Sequence, residues 1–129
     1  MKVEALIGDD VVFVAPDASL REVAESLTAN DIGIVAVGSK NRPVAVVSER
    51  DITLAVAQAR DVERTTATDI AHRELVWCDA SASVSEVATE MMDRYVRHVL
   101  VESDGKLVGV VSARDLLGYY AASEEAELT

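Results

Sequence analysis

The stretch Val44-Ala45-Val46-Val47-Ser48-Glu49-Arg50-Asp51 returns sixty-four residues later as Val108-Gly109-Val110-Val111-Ser112-Ala113-Arg114-Asp115. In each copy a short apolar run stops at a serine, and an arginine and an aspartate follow at fixed spacing. An apolar run of this length reads as a buried strand. Ser-x-x-Asp reads as the N-cap and first turn of a helix. Each copy is therefore a strand feeding a helix N-terminus. Such a junction presents free backbone N–H groups and the positive end of a helix dipole, a setting that suits an anion.

Working outward, the same shift maps the first half onto the second without a gap. Val12 falls on Val76, Ala18-Ser19 on Ala82-Ser83, Glu22-Val23-Ala24 on Glu86-Val87-Ala88, and Val35 and Val37 on Val99 and Val101. Conservative matches fill the intervals: Leu6 with Ile70, Phe13 with Trp77, Leu27 with Met91. The chain is expected to be two copies of one supersecondary unit, related by a pseudo-twofold axis.

Within a copy the order is legible. Residues 11–14 form a strand that ends at the turn Ala15-Pro16-Asp17. Ser19-Leu20-Arg21-Glu22 is a capping box, and Leu20, Val23, Ala24 and Leu27 make one apolar helical stripe ending near Asn30. Residues 34–37 and 44–47 are strands joined by a hairpin-like turn at Gly38-Ser39-Lys40-Asn41. A helix follows over 49–58. The second copy repeats this with a strand at 75–78, a helix from 83 to about 94, strands at 98–101 and 107–111, and a helix at 113–122. The fold class is α+β, each unit β-α-β-β-α. The repeats are placed at 1–59 and 69–122, with a polar linker at 60–68 and an acidic, frayed tail at 123–129. Thr66-Ala67-Thr68-Asp69 is a further capping box that opens a short turn of helix. A unit of about 60 residues with three short strands buries too little surface to stand alone, so each sheet needs an apolar partner.

Composition narrows the function. The net charge is −11, with three lysines and nine arginines. That balance disfavours a grip on nucleic acid or on an anionic membrane surface. No apolar run approaches the roughly 18–20 residues of a membrane helix, and the first residues lack the pattern of a secretory signal, so the chain is expected to be cytoplasmic. Cys78 is the sole cysteine and lies in an apolar run, which reads as a buried, inert thiol. His72 lies near the linker with no second ligand beside it and reads as a surface residue. No His/Cys spacing suggests a metal site, and no Gly-rich phosphate loop occurs.

This pattern resembles a CBS-domain pair, or Bateman module, in its stand-alone form. The residues that carry the resemblance are Ala15 to Ala24, Tyr95-Val96-Arg97-His98-Val99-Leu100-Val101, Gly109 to Leu116, and their repeat mates. The resemblance covers nearly the whole chain. It implies a regulatory module that holds an adenosine-containing ligand (AMP, ADP, ATP or S-adenosylmethionine) in the cleft between repeats. It also implies a homodimer and a target protein that the sequence does not name.

The candidate ligand-binding residues are Ser48, Arg50 and Asp51 in the first copy and Ser112, Arg114, Asp115, Arg97 and His98 in the second. Asp51 and Asp115 match the ribose-binding aspartate of such pairs, since a carboxylate accepts two vicinal hydroxyls at once. Each also serves as a helix cap, and the two roles coexist. Ser48 and Ser112 match the family's Ser/Thr at phosphate or ribose, and Arg50 and Arg114 are either phosphate partners or solvated helix residues. Arg97-His98 opens the middle strand of the second copy, where such pairs place basic residues near a phosphate; the first copy has Gly33-Ile34 there. Ala45, standing where the second copy has Gly109, suggests a tighter backbone approach at the first site. Phe13 and Trp77 either stack on adenine or fill the core, and the core reading is favoured for an aromatic in an apolar strand.

Three functions follow from these residues. The leading one is a non-catalytic sensor without an obligatory cofactor, in which nucleotide binding shifts a dimer's affinity for a partner. The second is a ligand-free interaction module with Phe13 and Trp77 filling the clefts. An enzyme is not expected, because no nucleophile stands beside a base and no paired acids suggest a reaction geometry.

Overall fold

A computed structural model describes residues 1–7, 11–39 and 42–128. Lys40-Asn41, in the expected hairpin turn, lies outside them. By contacts the chain divides into two compact units, Val11–Leu75 and Met1–Asp10 with Val76–Thr129. The first unit contains β1 (Phe13–Val14), α1 (Leu20–Asn30), β2 (Ile34–Ser39), β3 (Arg42–Ser48), α2 (Glu49–Ala57) and the short α3 (Ala67–Ile70). The second contains a 3-10 turn (Val3–Leu6), β4 (Trp77–Asp79), α4 (Val84–Arg94), β5 (His98–Ser103), β6 (Lys106–Ser112) and α5 (Ala113–Leu128). Each unit has one three-stranded sheet, ordered β1-β2-β3 or β4-β5-β6. The first pair of strands is parallel and the second antiparallel in both. The α+β class and the β-α-β-β-α order stand as read from the sequence.

The helix starts follow from their caps. Ser19 accepts the N–H of Glu22, and the Glu22 carboxylate accepts the N–H of Ser19. Ser83 caps α4 by accepting the N–H of Glu86 at 3.1 Å. Both helices end on a left-handed residue, Asp31 at φ 51° and Tyr95 at φ 55°, again sixty-four apart. This costs little at a helix end, where the reversed backbone lets an N–H reach the last carbonyls. The apolar stripe of α1 is buried at Leu20, Val23 and Leu27. Val23 and Leu27 meet Val35, Val37 and Val47 from the sheet, and the second unit repeats this with Val87, Met91, Val99, Val101 and Val111.

The segments that lead each repeat pack in a way the repeat pattern does not foretell. Val3 is fully buried in the core of the second unit, and its N–H donates to the carbonyl of Ala82 at 2.8 Å. Its repeat mate Ala67 is fully buried in the core of the first unit, and its N–H donates to Ala18 at 2.8 Å. Each leading segment thus completes the core built by the other repeat, so the compact units are cut at different places from the sequence repeats.

Two expectations change. The tail expected to fray from residue 123 continues α5 as far as Leu128; Glu, Ala and Leu are strong helix formers and carry the helix on. Gly109 does not open room for a ligand. A Cβ there would overlap Cγ2 of Ile7 and lie 3.2 Å from its Cβ. The glycine is needed because the Ile7 side chain fills that space, a packing demand of the second core. Among the described residues no helix is long and apolar enough to cross a membrane.

Gly109→Ala is expected to destabilise the protein by about 1–3 kcal/mol, the usual cost of overpacking. Ile7→Ala in the same chain should recover part of that loss. Denaturant unfolding of the two single variants and the double variant measures the coupling, and purely additive losses would refute the contact.

Candidate functional site

The two junctions are built alike. The N–H of Glu49, first residue of α2, donates to the carbonyl of Gly33 at 3.0 Å, and the N–H of Ala113, first residue of α5, donates to the carbonyl of Arg97 at 2.8 Å. Register places Ile34 opposite Ser48 and His98 opposite Ser112. The start of the middle strand therefore lies beside the start of the following helix in each unit. The backbone of Arg97 and His98 thus lies beside the start of the Ser112–Asp115 turn.

Reciprocal caps close both turns. The Asp51 carboxylate accepts the N–H of Ser48 at 2.7 Å, and Ser48 Oγ accepts the N–H of Asp51 at 3.3 Å. Asp115 accepts the N–H of Ser112 at 2.8 Å, and Ser112 Oγ accepts the N–H of Asp115 at 3.1 Å. Both aspartates are thus helix caps. Arg50, Arg97 and Arg114 are exposed and form no ion pair with a carboxylate among the described residues.

His72 is not a bystander on the surface. Its backbone bridges to Val46 by two hydrogen bonds of 3.0 Å, and its Nδ1 lies 3.0 Å from Oδ2 of Asp51. Sequence reasoning missed this pair because the residues are distant in the chain and the bridge to β3 leaves no local signature. The contact moves both titrations. The hydrogen bond to Asp51 raises the pKa of the imidazole, against an opposing effect of burial, and the charges of Asp51 and Glu74 add to the rise. Burial alone pushes the Asp51 carboxyl up. Hydrogen bonds from His72 and Ser48, with the His72 charge, outweigh it and hold the carboxyl below its ordinary range.

The two aromatics stand differently from the favoured core reading. Val12 and Val14 pack on the first core and Val76 and Cys78 on the second. Strand alternation therefore turns Phe13 and Trp77 to the opposite face of their sheets. Both are half-buried. They are not part of the packing between sheet and helices. Cys78 is half-buried rather than buried, and its thiol is pushed up to about 11, mainly by burial and further by Asp79 and Glu102. It is protonated at neutral pH and therefore a poor nucleophile.

Two copies of one β-α-β-β-α unit, each with the same capped junction, define a tandem α+β repeat protein. The chain belongs to the CBS domain family, whose profile matches residues 3–58 and 67–122. An uncharacterized protein of Methanopyrus kandleri is 29% identical over 125 residues, and the chain spans 64% of that relative's length. Hypoxic response protein 1 of Mycobacterium tuberculosis is 31% identical over 108 residues, which is 82% of this chain and 76% of the relative. Its structure, with two coordinated zinc ions, superposes with a TM-score of 0.74, at 27% identity, over 92% of this chain and 98% of that one. Among the described residues here, no group of three or more His, Cys, Asp or Glu side chains could hold a metal ion. A CBS domain protein from Pyrobaculum aerophilum, solved in complex with AMP, is 37% identical with a TM-score of 0.82, covering 89% of each chain.

The His72–Asp51 pair gives stability a definite pH dependence. Its contribution is complete between the ordinary carboxyl and imidazole values of 3.8 and 6.5. It fades as pH rises through the raised imidazole pKa, and as pH falls through the lowered carboxyl pKa. His72→Gln is therefore expected to destabilise the chain by under about 1 kcal/mol at pH 5.5, the scale of a half-exposed pair, and by less at pH 9. Urea unfolding at the two pH values measures this, and a larger loss at pH 9 would contradict it.

Proposed function

We propose that this chain is a non-catalytic regulatory module that binds an adenosine-containing ligand, such as AMP, ADP, ATP or S-adenosylmethionine, at its strand-to-helix junctions and signals to a partner protein. The observation that carries the reading is the second junction. There the Asp115 carboxylate, the capped turn from Ser112, and the basic pair Arg97-His98 stand together. The carboxylate suits ribose hydroxyls, and Arg97, His98 and the helix N-terminus suit a phosphate. Arg114 lies exposed in the first turn of α5 and adds positive charge to that junction. Ser48, Arg50 and Asp51 form the corresponding first site, without a basic pair at Gly33-Ile34. The AMP complex of the Pyrobaculum aerophilum relative supports an adenosine ligand for this chain. A ligand of this kind regulates by binding two shapes of the protein with different affinity.

We further infer that the module acts as a homodimer. Several large apolar side chains on its helices are exposed, among them Val56 at 60%, Met92 at 76% and Leu117 at 70%. Scattered singly they would mean little; here they sit on α2, α4 and α5 of both units. Light scattering at micromolar concentration in moderate salt is expected to give twice the 13.8 kDa chain mass. Moderate salt matters because self-repulsion at −11 opposes association. A mass of one chain under these conditions would refute the dimer.

The nucleotide reading is tested by melting and titration. A ligand that binds only the folded chain raises its melting temperature, so AMP, ATP or S-adenosylmethionine should do so. Loss of a charge-assisted hydrogen bond weakens binding by roughly 10- to 150-fold. Asp115→Ala should therefore weaken every adenosine ligand at the second site. Arg97→Ala should weaken AMP and ATP but spare adenosine. Asp51→Ala should cost less than Asp115→Ala. Equal losses for the two aspartates, or no loss for Arg97→Ala, would overturn the asymmetric assignment, and no melting shift with any of these ligands would overturn nucleotide binding itself.

A further inference from the structure

The Asp51 carboxylate at the first junction already has much of its acceptor capacity in use. Oδ2 of Asp51 accepts three donors: the N–H of Ser48 at 2.7 Å, the hydroxyl of Ser48 at 3.0 Å and Nδ1 of His72 at 3.0 Å. Oδ2 of Asp115 accepts the N–H of Ser112 at 2.8 Å. The repeat mate of His72 is Gly8, so the unit that carries Asp115 has no histidine at that sequence position. A ribose diol donates two hydroxyls to a carboxylate, and with Oδ2 crowded by three donors only Oδ1 is left to accept them.

Of the three donors, the Ser48 groups are tied to the helix start and cannot leave without undoing the cap. His72 can leave. Its side chain is 47% exposed, while that of Asp51 is 16% exposed. Only its backbone is held, by the two hydrogen bonds to Val46 that keep the ring within reach of Asp51. Resting on the nucleotide reading of these junctions, we propose that His72 is a built-in competitor for the Asp51 carboxylate. An adenosine ligand is then taken fully at the first junction only when the imidazole gives up its contact.

The competition depends on pH. The charged groups that act on the ring are Asp51 from α2 and Glu74 from its own segment. On α3, the Asp69 carboxylate is engaged by the N–H of Thr66 at 2.9 Å, and β3 meets His72 through the backbone of Val46. In the first turn of α2, Glu49 and Arg50 are exposed. A ligand that displaces a protonated imidazole from its carboxylate lowers the ring's proton affinity, so binding releases protons and strengthens as pH rises.

Adenosine is the suitable probe, because it carries no phosphate to titrate between pH 6 and 8.5. Isothermal titration into the Asp115→Ala chain isolates the first junction, with and without His72→Ala. At pH 6 the added His72→Ala change is expected to tighten adenosine by about tenfold, the scale of one charge-assisted hydrogen bond. The gap should narrow at pH 8.5, where the Asp115→Ala chain itself binds more tightly. A proton NMR titration of the His72 ring should show its pKa falling when adenosine is added. Equal or weaker binding after His72→Ala at pH 6, or a ring pKa that adenosine leaves unchanged while it binds, overturns the competition and leaves the nucleotide reading standing. No adenosine binding by the unsubstituted chain at either pH overturns both.

Discussion

A helix that begins directly at the end of a strand leaves its first backbone N–H groups without carbonyl partners. In this protein the shortage is met by a serine and an aspartate three residues apart, each accepting the other's backbone N–H. The rest of each unit is arranged around that exchange. The strand before it must end at the serine, the helix after it must start at once, and the neighbouring strand start must lie close enough for its carbonyl to take one more N–H. Here the cap bonds fix each carboxylate at the start of its helix. An acceptor placed in this way is structural and available to a ligand at the same time.

The near-identity of the two junctions makes their differences informative. One carries Arg97-His98 at the strand start, the other Gly33-Ile34. The first junction also carries His72 on its carboxylate. Basic residues add attraction for a phosphate, whereas a histidine hydrogen-bonded to the carboxylate uses up acceptor capacity. Under the proposed function, the basic pair favours the second junction as the stronger site. Duplication has therefore kept the scaffold while the charge around it diverged. That division is physically natural, because cap and strand register are demanded by folding while the surrounding side chains are not.

The apolar surfaces follow the same division. The helices pack their inner stripes on the sheets through small aliphatic residues, which leaves little aromatic area for the core. The aromatics Phe13 and Trp77 stand on the other faces of the sheets, outside the packing with the helices. Exposed apolar side chains lie on α2, α4 and α5 and, at Val44 and Val108, on β3 and β6.

The sequence by itself determined the repeat, the α+β class and the capped helix starts. These are local or periodic features: a cap needs only four residues, and strand order within a unit follows from short connections. It also supplied the helix ends at Asn30 and Arg94 to within a residue. It did not determine which core Val3 and Ala67 would complete, because a small apolar residue suits either and nothing local chooses between them. It did not show that Gly109 answers to Ile7, or that α5 would run on to Leu128. Above all it left His72 apart from Asp51. Twenty-one residues separate them, and only the backbone bridge from His72 to Val46 brings the ring to the carboxylate. Such a bridge is chosen by the tertiary fold, through hydrogen-bonding groups that every residue carries and that no side-chain pattern can mark.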